Sequence, residues 1–262
     1  MEAPQIYPHH SQHCHGKSVL AQTNQEYWNS AADTTFELDW VKDLQNQVAN
    51  HMQAHLAWAG INPDEKSNEG KKMLDYACGE GFLSRVLFPY FSKCIGMDIA
   101  EKMASLYNKS ARDQGIPEDR MYAIQGDLTS SEASDALNDN EFFDFDLIIV
   151  SMALHHFEDP QYAINKFVER LKPGTGILVV IDWEVNKGNG GKFSDEWIVG
   201  NNPVGHTVAH SGFEEEQLKE MMIRAGCDEA DYVLFEEKTA IPMSKDGFKQ
   251  LFAGKGRRKA AA

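Results

Sequence analysis

The chain has 262 residues, of which 42% are hydrophobic and 25% charged, and its formal net charge is −15. That length suits a single α/β domain with a small cap, and no apolar run approaches the roughly 18 residues of a membrane span. The acidic balance argues against a duplex nucleic-acid partner, which needs a basic footprint to neutralise phosphates.

Residues 1–22 hold Pro4, Pro8, His9, His10, His13, Cys14, His15 and Gly16 without periodicity and read as a flexible tail. Its histidines can chelate a transition metal, but a metal site needs a rigid shell, so no metal is expected. Residues 23–64 read as a helical cap in two pieces. Phe36, Trp40, Leu44, Val48 and Met52 recur every four residues, which draws one apolar helix face. Ile61-Asn62-Pro63 closes it.

From Lys72 the texture changes. Short apolar runs at 73–77, 93–97, 121–125, 145–150 and 176–181 alternate with amphipathic stretches at 82–91, 101–114 and 162–171. Repeated β-α order predicts a parallel sheet with helices on both faces. Near-continuous apolar strands fit a sheet buried on both sides. Residues 184–212 form a long Gly- and Asn-rich loop after the fifth strand, at the carboxyl edge where such sheets bind ligands. A helix at 214–225 ends at Gly226, and β runs at 231–236 and 248–254 follow. The main domain is therefore expected over 65–255, with 184–212 as its active-site loop and 256–262 as a basic tail.

Cys14, Cys78, Cys94 and Cys227 are scattered and form no CxxC pair, which reads as free thiols in a reducing compartment. The first residues lack a signal-like apolar stretch. A cytoplasmic location is the expectation, with the basic run 255–259 as a weak nuclear address.

Residues 73–83 carry the chemistry. A buried strand ends in the turn Asp75-Tyr76-Ala77-Cys78-Gly79-Glu80-Gly81 and opens directly into a helix. Small residues let a ligand approach the backbone, and the helix start offers free N–H groups. The G-x-G-x-x-G spacing of a dinucleotide site is missing, which disfavours a Rossmann oxidoreductase. Asp75 at the strand end would repel a pyrophosphate and suits a cationic ligand, such as the amino group of a methionine moiety. Asp98, in Gly96-Met97-Asp98-Ile99, follows the second strand, where an acid accepts from ribose hydroxyls. Asp127, in Gln125-Gly126-Asp127-Leu128, follows the third and can accept from an adenine amine, with Ile99 and Leu128 sandwiching the ring.

At these residues the chain resembles the class I S-adenosylmethionine-dependent methyltransferases, especially the small-molecule branch that includes quinone-biosynthesis enzymes. Asp75 to Gly81 looks like the family's first motif, with Ala77 in place of its common first glycine. Phe145-Asp146-Leu147-Ile148-Ile149-Val150-Ser151 resembles its fourth strand, and Leu171-Lys172-Pro173-Gly174-Thr175-Gly176 the turn before its fifth. The resemblance implies a doubly wound, seven-stranded, mostly parallel, Rossmann-like sheet with N-terminal helices as a cap. It implies S-adenosylmethionine as cofactor and S-adenosylhomocysteine as product. The implied cofactor contacts are Tyr27, Trp28, Asp75, Ala77, Cys78, Gly79, Gly81, Asp98, Ile99, Met103, Asp127, Leu128 and Ser151.

Methyl transfer from a sulfonium is an in-line displacement, and a base is needed only when the nucleophile must lose a proton. The implied acceptor is a small molecule, attacked at O, N, S or C. His155 and His156, after the fourth strand, are candidate bases, and the family's use of this turn favours His155. His210, in His210-Ser211-Gly212-Phe213, is a further candidate. His206 and His210 lack the extra ligands a zinc site needs. Asp182-Trp183-Glu184 ends the fifth strand and can line the pocket. The rival reading is a methyltransferase-fold subunit that acts in a protein complex, as a protein methyltransferase or a regulatory binding module; a protein partner or a homo-oligomer is compatible with either.

Overall fold

The structure is a computed structural model, and it describes residues 18–64, 69–130, 135–185, 204–242, 244 and 247–261. The histidine-rich stretch 9–15 and most of the loop expected at 184–212 lie outside the described residues. Among the described residues no helix is long and apolar enough to cross a membrane.

Two helices lead into the sheet. Ser18 caps the first, α1 (Val19–Thr35), by accepting from the Ala21 N–H. The helix thus begins ahead of the expected boundary at residue 23. The second, α2 (Asp39–Ala54), buries Leu44, Val48 and Met52, the face drawn by the four-residue repeat.

Seven strands then build one sheet. They are β1 (Lys72–Tyr76), β2 (Lys93–Asp98), β3 (Met121–Gln125), β4 (Leu147–Ser151), β5 (Ile177–Trp183), β6 (Cys227–Leu234) and β9 (Leu251–Arg258), in the order β3-β2-β1-β4-β5-β9-β6. The first five are parallel, and β9 runs antiparallel between β5 and β6. Two-residue strands β7 (Thr239–Ala240) and β8 (Phe248–Lys249) form a separate pair.

The expected basic tail corrects here, because residues 256–258 finish β9: Gly256 and Arg257 pair with β5, and Arg258 pairs with Cys227 of β6. Their charges are absorbed at the sheet end: Arg257 meets Asp228 and Glu229, and Arg258 donates to the Glu169 carbonyl. A basic run therefore looked like a solvated tail although its backbone is fully paired.

Side-chain alternation splits the parallel strands between two cores. Met73, Cys94, Ile149 and Val179 face one side, under α2, α3 (Phe82–Leu87) and α4 (Glu101–Asp113). Leu74, Ile95, Ile148 and Val180 face the other, under α5 (Pro160–Arg170) and α6 (Glu215–Arg224). Covering on both faces is what the unbroken apolar strands require. The third helix is shorter than the expected 82–91: Phe88–Tyr90 tightens into a 3-10 turn around Pro89, which has no N–H to continue the ladder.

Tyr107 of α4 is fully buried against β2. Gly96 makes the room, since a Cβ there would lie 2.7 Å from the Tyr107 ring and 2.8 Å from the Ala123 methyl. Gly96→Ala is expected to lower the unfolding free energy in urea by about 1–3 kcal/mol through overpacking. A wild-type denaturation curve would mean that α4 can ride outward freely.

Candidate active site

A cavity of about 590 Å³ opens at the carboxyl ends of β1 to β5, beneath α1 and α2. Three carboxylates at successive strand ends define it. Asp98, the last residue of β2, accepts from the Gly79 N–H at 3.0 Å through Oδ2 and from the Ala100 N–H at 2.9 Å through Oδ1. It stitches the turn after β1 to the turn after β2. Burial pushes its carboxyl up to about 6, against the pull of those two backbone donors. Asp75 lies inside β1, and Ser84 of α3 donates to its Oδ2 at 2.6 Å. Burial raises Asp75 to about 7; the Ser84 hydrogen bond pulls it down and the neighbouring Asp98 pushes it further up.

Asp127 follows β3. Its Oδ1 accepts from the Thr129 N–H at 2.9 Å, the Thr129 hydroxyl at 2.6 Å and the Tyr76 hydroxyl at 3.3 Å. The Tyr76 oxygen in turn accepts from the Leu128 N–H at 3.0 Å. Among the described residues no Lys or Arg lines this cavity. Buried carboxylates without a cation are costly, so the cavity suits a ligand that brings positive charge and donor groups. The turn between β1 and α3 is tight. Ala77 sits at φ +57° with its N–H on the Met97 carbonyl at 2.8 Å, a left-handed conformation that glycine adopts without strain.

His155 and His156 occupy a single 3-10 turn, Leu154–His156, after β4. Asp182 of β5, wholly buried, holds His155 twice: Oδ2 accepts from the backbone N–H at 3.1 Å, and Oδ1 meets the ring Nδ1 at 2.7 Å. A carboxylate there takes Nδ1–H and leaves Nε2 as the free acceptor. The His156 Nδ1 donates to the Thr207 carbonyl at 2.8 Å. Burial, and after it the adjacent His155 with ring centres 4.2 Å apart, pushes the His156 imidazole down to about 3. The same Thr207 carbonyl accepts from Asn24 Nδ2 at 2.9 Å, and Asn24 Oδ1 accepts from Trp28 Nε1 at 3.2 Å. Trp28 stands edge-on to His156 at 5.7 Å. Helix α1 is thus latched to the histidine turn.

The sequence-derived residues mostly converge. Tyr27, Trp28, Asp75, Ala77, Cys78, Gly79, Asp98, Ile99, Met103, Asp127, Ser151, His155 and His156 all line the cavity. Three do not, and each has a physical reason. Leu128 turns into the core with Leu137 and Phe142, because it is the neighbour of a cavity-facing Asp127. Gly81, at φ +79°, caps α3 and lies against the Tyr107 ring, so it serves packing. His210 is drawn away from the wall: its N–H donates to the His155 carbonyl at 3.0 Å and its ring packs 5.7 Å from Phe213.

Ser84, Asn24 and Thr207 were missed by sequence reasoning, and Asp182 was read as pocket wall although it stands behind His155. They carry no local signal: Ser84 stands beside Arg85 in α3, and Asn24 lies in the polar run Gln22-Thr23-Asn24-Gln25-Glu26 of α1.

Residues 74–180 match the family model described as a methyltransferase domain. The chain is similar to an uncharacterized methyltransferase of Schizosaccharomyces pombe, 33% identical over 169 residues that cover 63% of this chain and 56% of that one. It is similar to the ubiquinone biosynthesis O-methyltransferase of an Azoarcus species, 28% identical over 42% of this chain and 43% of that one. The chain thus spans about half the length of these curated relatives. In structure it is similar to the magnesium protoporphyrin IX methyltransferase of Synechocystis PCC 6803 with bound S-adenosylhomocysteine, with a TM-score of 0.62 at 16% identity over 90% of this chain and 99% of that one.

The Asn24 latch has a measurable consequence. Asn24→Ala is expected to raise amide hydrogen exchange across 19–35 by at least tenfold while β1 to β5 keep their protection. Unchanged protection of α1 would mean that its packing on Ala100 and Met103 of the sheet domain holds it without the latch.

Proposed function

We propose that this chain, whose residues 74–180 match a methyltransferase-domain model, binds S-adenosylmethionine in the carboxylate-lined cavity and transfers its methyl group to a small-molecule acceptor. The observation that carries the proposal is the set of buried carboxylates Asp75, Asp98 and Asp127 with no lining cation among the described residues. A sulfonium ligand with a ribose diol, an adenine amine and an α-amino group offers positive charge and donors in matching number.

Each residue then has a task. A carboxylate has about four lone-pair sites; backbone N–H groups occupy two on Asp98, which leaves two for ribose hydroxyls. Asp127 accepts from the adenine amine, with Ile99 against the ring. Asp75 faces the amino group, held in place by Ser84. The bound cofactor supplies an already activated methyl group, so the chain has to hold the nucleophile close and aligned. His155 takes the proton of the nucleophile at Nε2, and Asp182 stabilises the imidazolium that forms. Trp28, Trp40 and Trp183 supply apolar walls that exclude water from the reacting atoms.

Asp98→Ala is expected to weaken S-adenosylmethionine binding by calorimetry at least tenfold, about 1.5–3 kcal/mol for a lost charged hydrogen bond. Undiminished affinity would refute the ribose assignment. In the wild type the ligand needs Asp98 as a carboxylate, and burial holds its carboxyl at about 6. Asp75, which faces the amino group, is held at about 7, so affinity is full only above about 7 and falls as pH drops through both values; a flat profile between pH 8 and 5 would count against these roles. His155→Ala is expected to cut turnover at least a hundredfold in a tritiated-methyl assay, with cofactor affinity retained. Full transfer by that variant would remove His155 as the base.

A further inference from the structure

Two imidazoles side by side on one turn are one more than a single proton transfer needs. Both have Nδ1 committed, His155 to the Asp182 carboxylate and His156 to the Thr207 carbonyl. A carbonyl only accepts, so His156 carries its proton on Nδ1 and its lone pair on Nε2. The partners differ in kind. Asp182 is an anion able to stabilise a cation on His155. Thr207 offers His156 only a dipole, already shared with Asn24.

We propose that His156 is a neutral hydrogen-bond acceptor that selects methyl-accepting substrates bearing a second O–H or N–H beside their nucleophile. The proposal rests on the methyl-transfer reading above, and it divides the labour within the turn: His155 moves the proton, while His156 reads the substrate.

Three further observations support the division. The ring centres lie 4.2 Å apart, so a proton on His155 repels a second one on His156. The groups facing His156 from neighbouring elements are Trp28 of α1, Thr207, and His155 with Asp182 behind it. Among the described residues no carboxylate hydrogen-bonds its ring, and burial depresses its basicity strongly.

Its Nε2 lone pair is therefore always present at the wall of a cavity that α1 closes. A substrate with one donor satisfies His155 and leaves that acceptor buried without a partner. Sites built to hydrogen-bond a substrate group reject analogues that lack it far more strongly than apolar pockets reject a missing methylene. Two acceptors on adjacent rings fit two adjacent donors, and the simplest such substrate is a vicinal dihydroxy compound.

The test uses the full chain saturated with S-adenosylhomocysteine and labelled with 15N-histidine. From pH 8 to 5, His156, assigned by its loss in His156→Gln, is expected to keep the neutral Nδ1–H pattern. Titration of His156 in that range, or a proton on its Nε2, overturns the proposal. In a second arm the probes are 4-methylcatechol and p-cresol. The catechol is expected to bind at least tenfold more tightly, and His156→Phe, which keeps an aromatic edge against Trp28, is expected to erase the difference. Equal binding of both probes, or binding of neither, overturns it. Failure of the underlying reading registers separately, as no binding of S-adenosylhomocysteine by calorimetry.

Discussion

β1 and β4 lie side by side in register, from Met73 opposite Leu147 to Tyr76 opposite Val150, yet the chain leaves them in opposite directions. After β1 it crosses one face of the sheet through α3 towards β2. After β4 it crosses the other face through α5 towards β5. No crossover can cover the seam between them, so a crevice opens at their carboxyl ends. Everything functional hangs on that seam. The turn 77–81 forms one lip, the histidine turn forms the other, and the acids of β2 and β3 extend the first lip sideways.

The crevice would be an ordinary apolar hole if side chains closed it. Instead the chain places Asp75, Asp98 and Asp127 there and takes them out of water. Backbone N–H groups, Ser84, Thr129 and Tyr76 hydrogen-bond them, which is the least a buried carboxylate requires. That supply is incomplete by design of the charges: Asp75 is raised to about 7 and Asp98 to about 6, both chiefly by burial. Local donors offset desolvation without cancelling it. A cationic, donor-rich ligand offsets the remaining desolvation penalty.

How much of this could be read from the sequence follows from the range of each interaction. Strand ends announce themselves locally: an apolar run, then Asp98 two residues after Gly96, or Asp127 beside Gly126. The apolar face of α2 is local too, through the spacing of Trp40, Leu44 and Val48. The pairings that give the site its chemistry are not. His155 meets Asp182 across 27 positions, His156 meets Thr207 across 51, and Asn24 meets Thr207 across 183. Leu128 failed for a different reason. Adjacent residues leaving a strand point opposite ways, so an inward Asp127 obliges Leu128 to face the core. Residues 256–258 failed because charge composition says nothing about whether a backbone is paired.

The Thr207 carbonyl ties these scales together. It accepts from Asn24 on the capping helix and from His156 on the histidine lip, 2.9 and 2.8 Å away. One acceptor therefore serves the element that shuts the cavity and the element that chooses what enters it. If α1 lifts, Asn24 leaves, Trp28 withdraws its edge from His156, and water reaches the imidazole pair. Water would then satisfy the His156 lone pair for any substrate, so discrimination by that lone pair exists only while the cap is down. Closure and selectivity are in that sense one interaction, and a cap that merely excluded water would not need an asparagine aimed at this carbonyl.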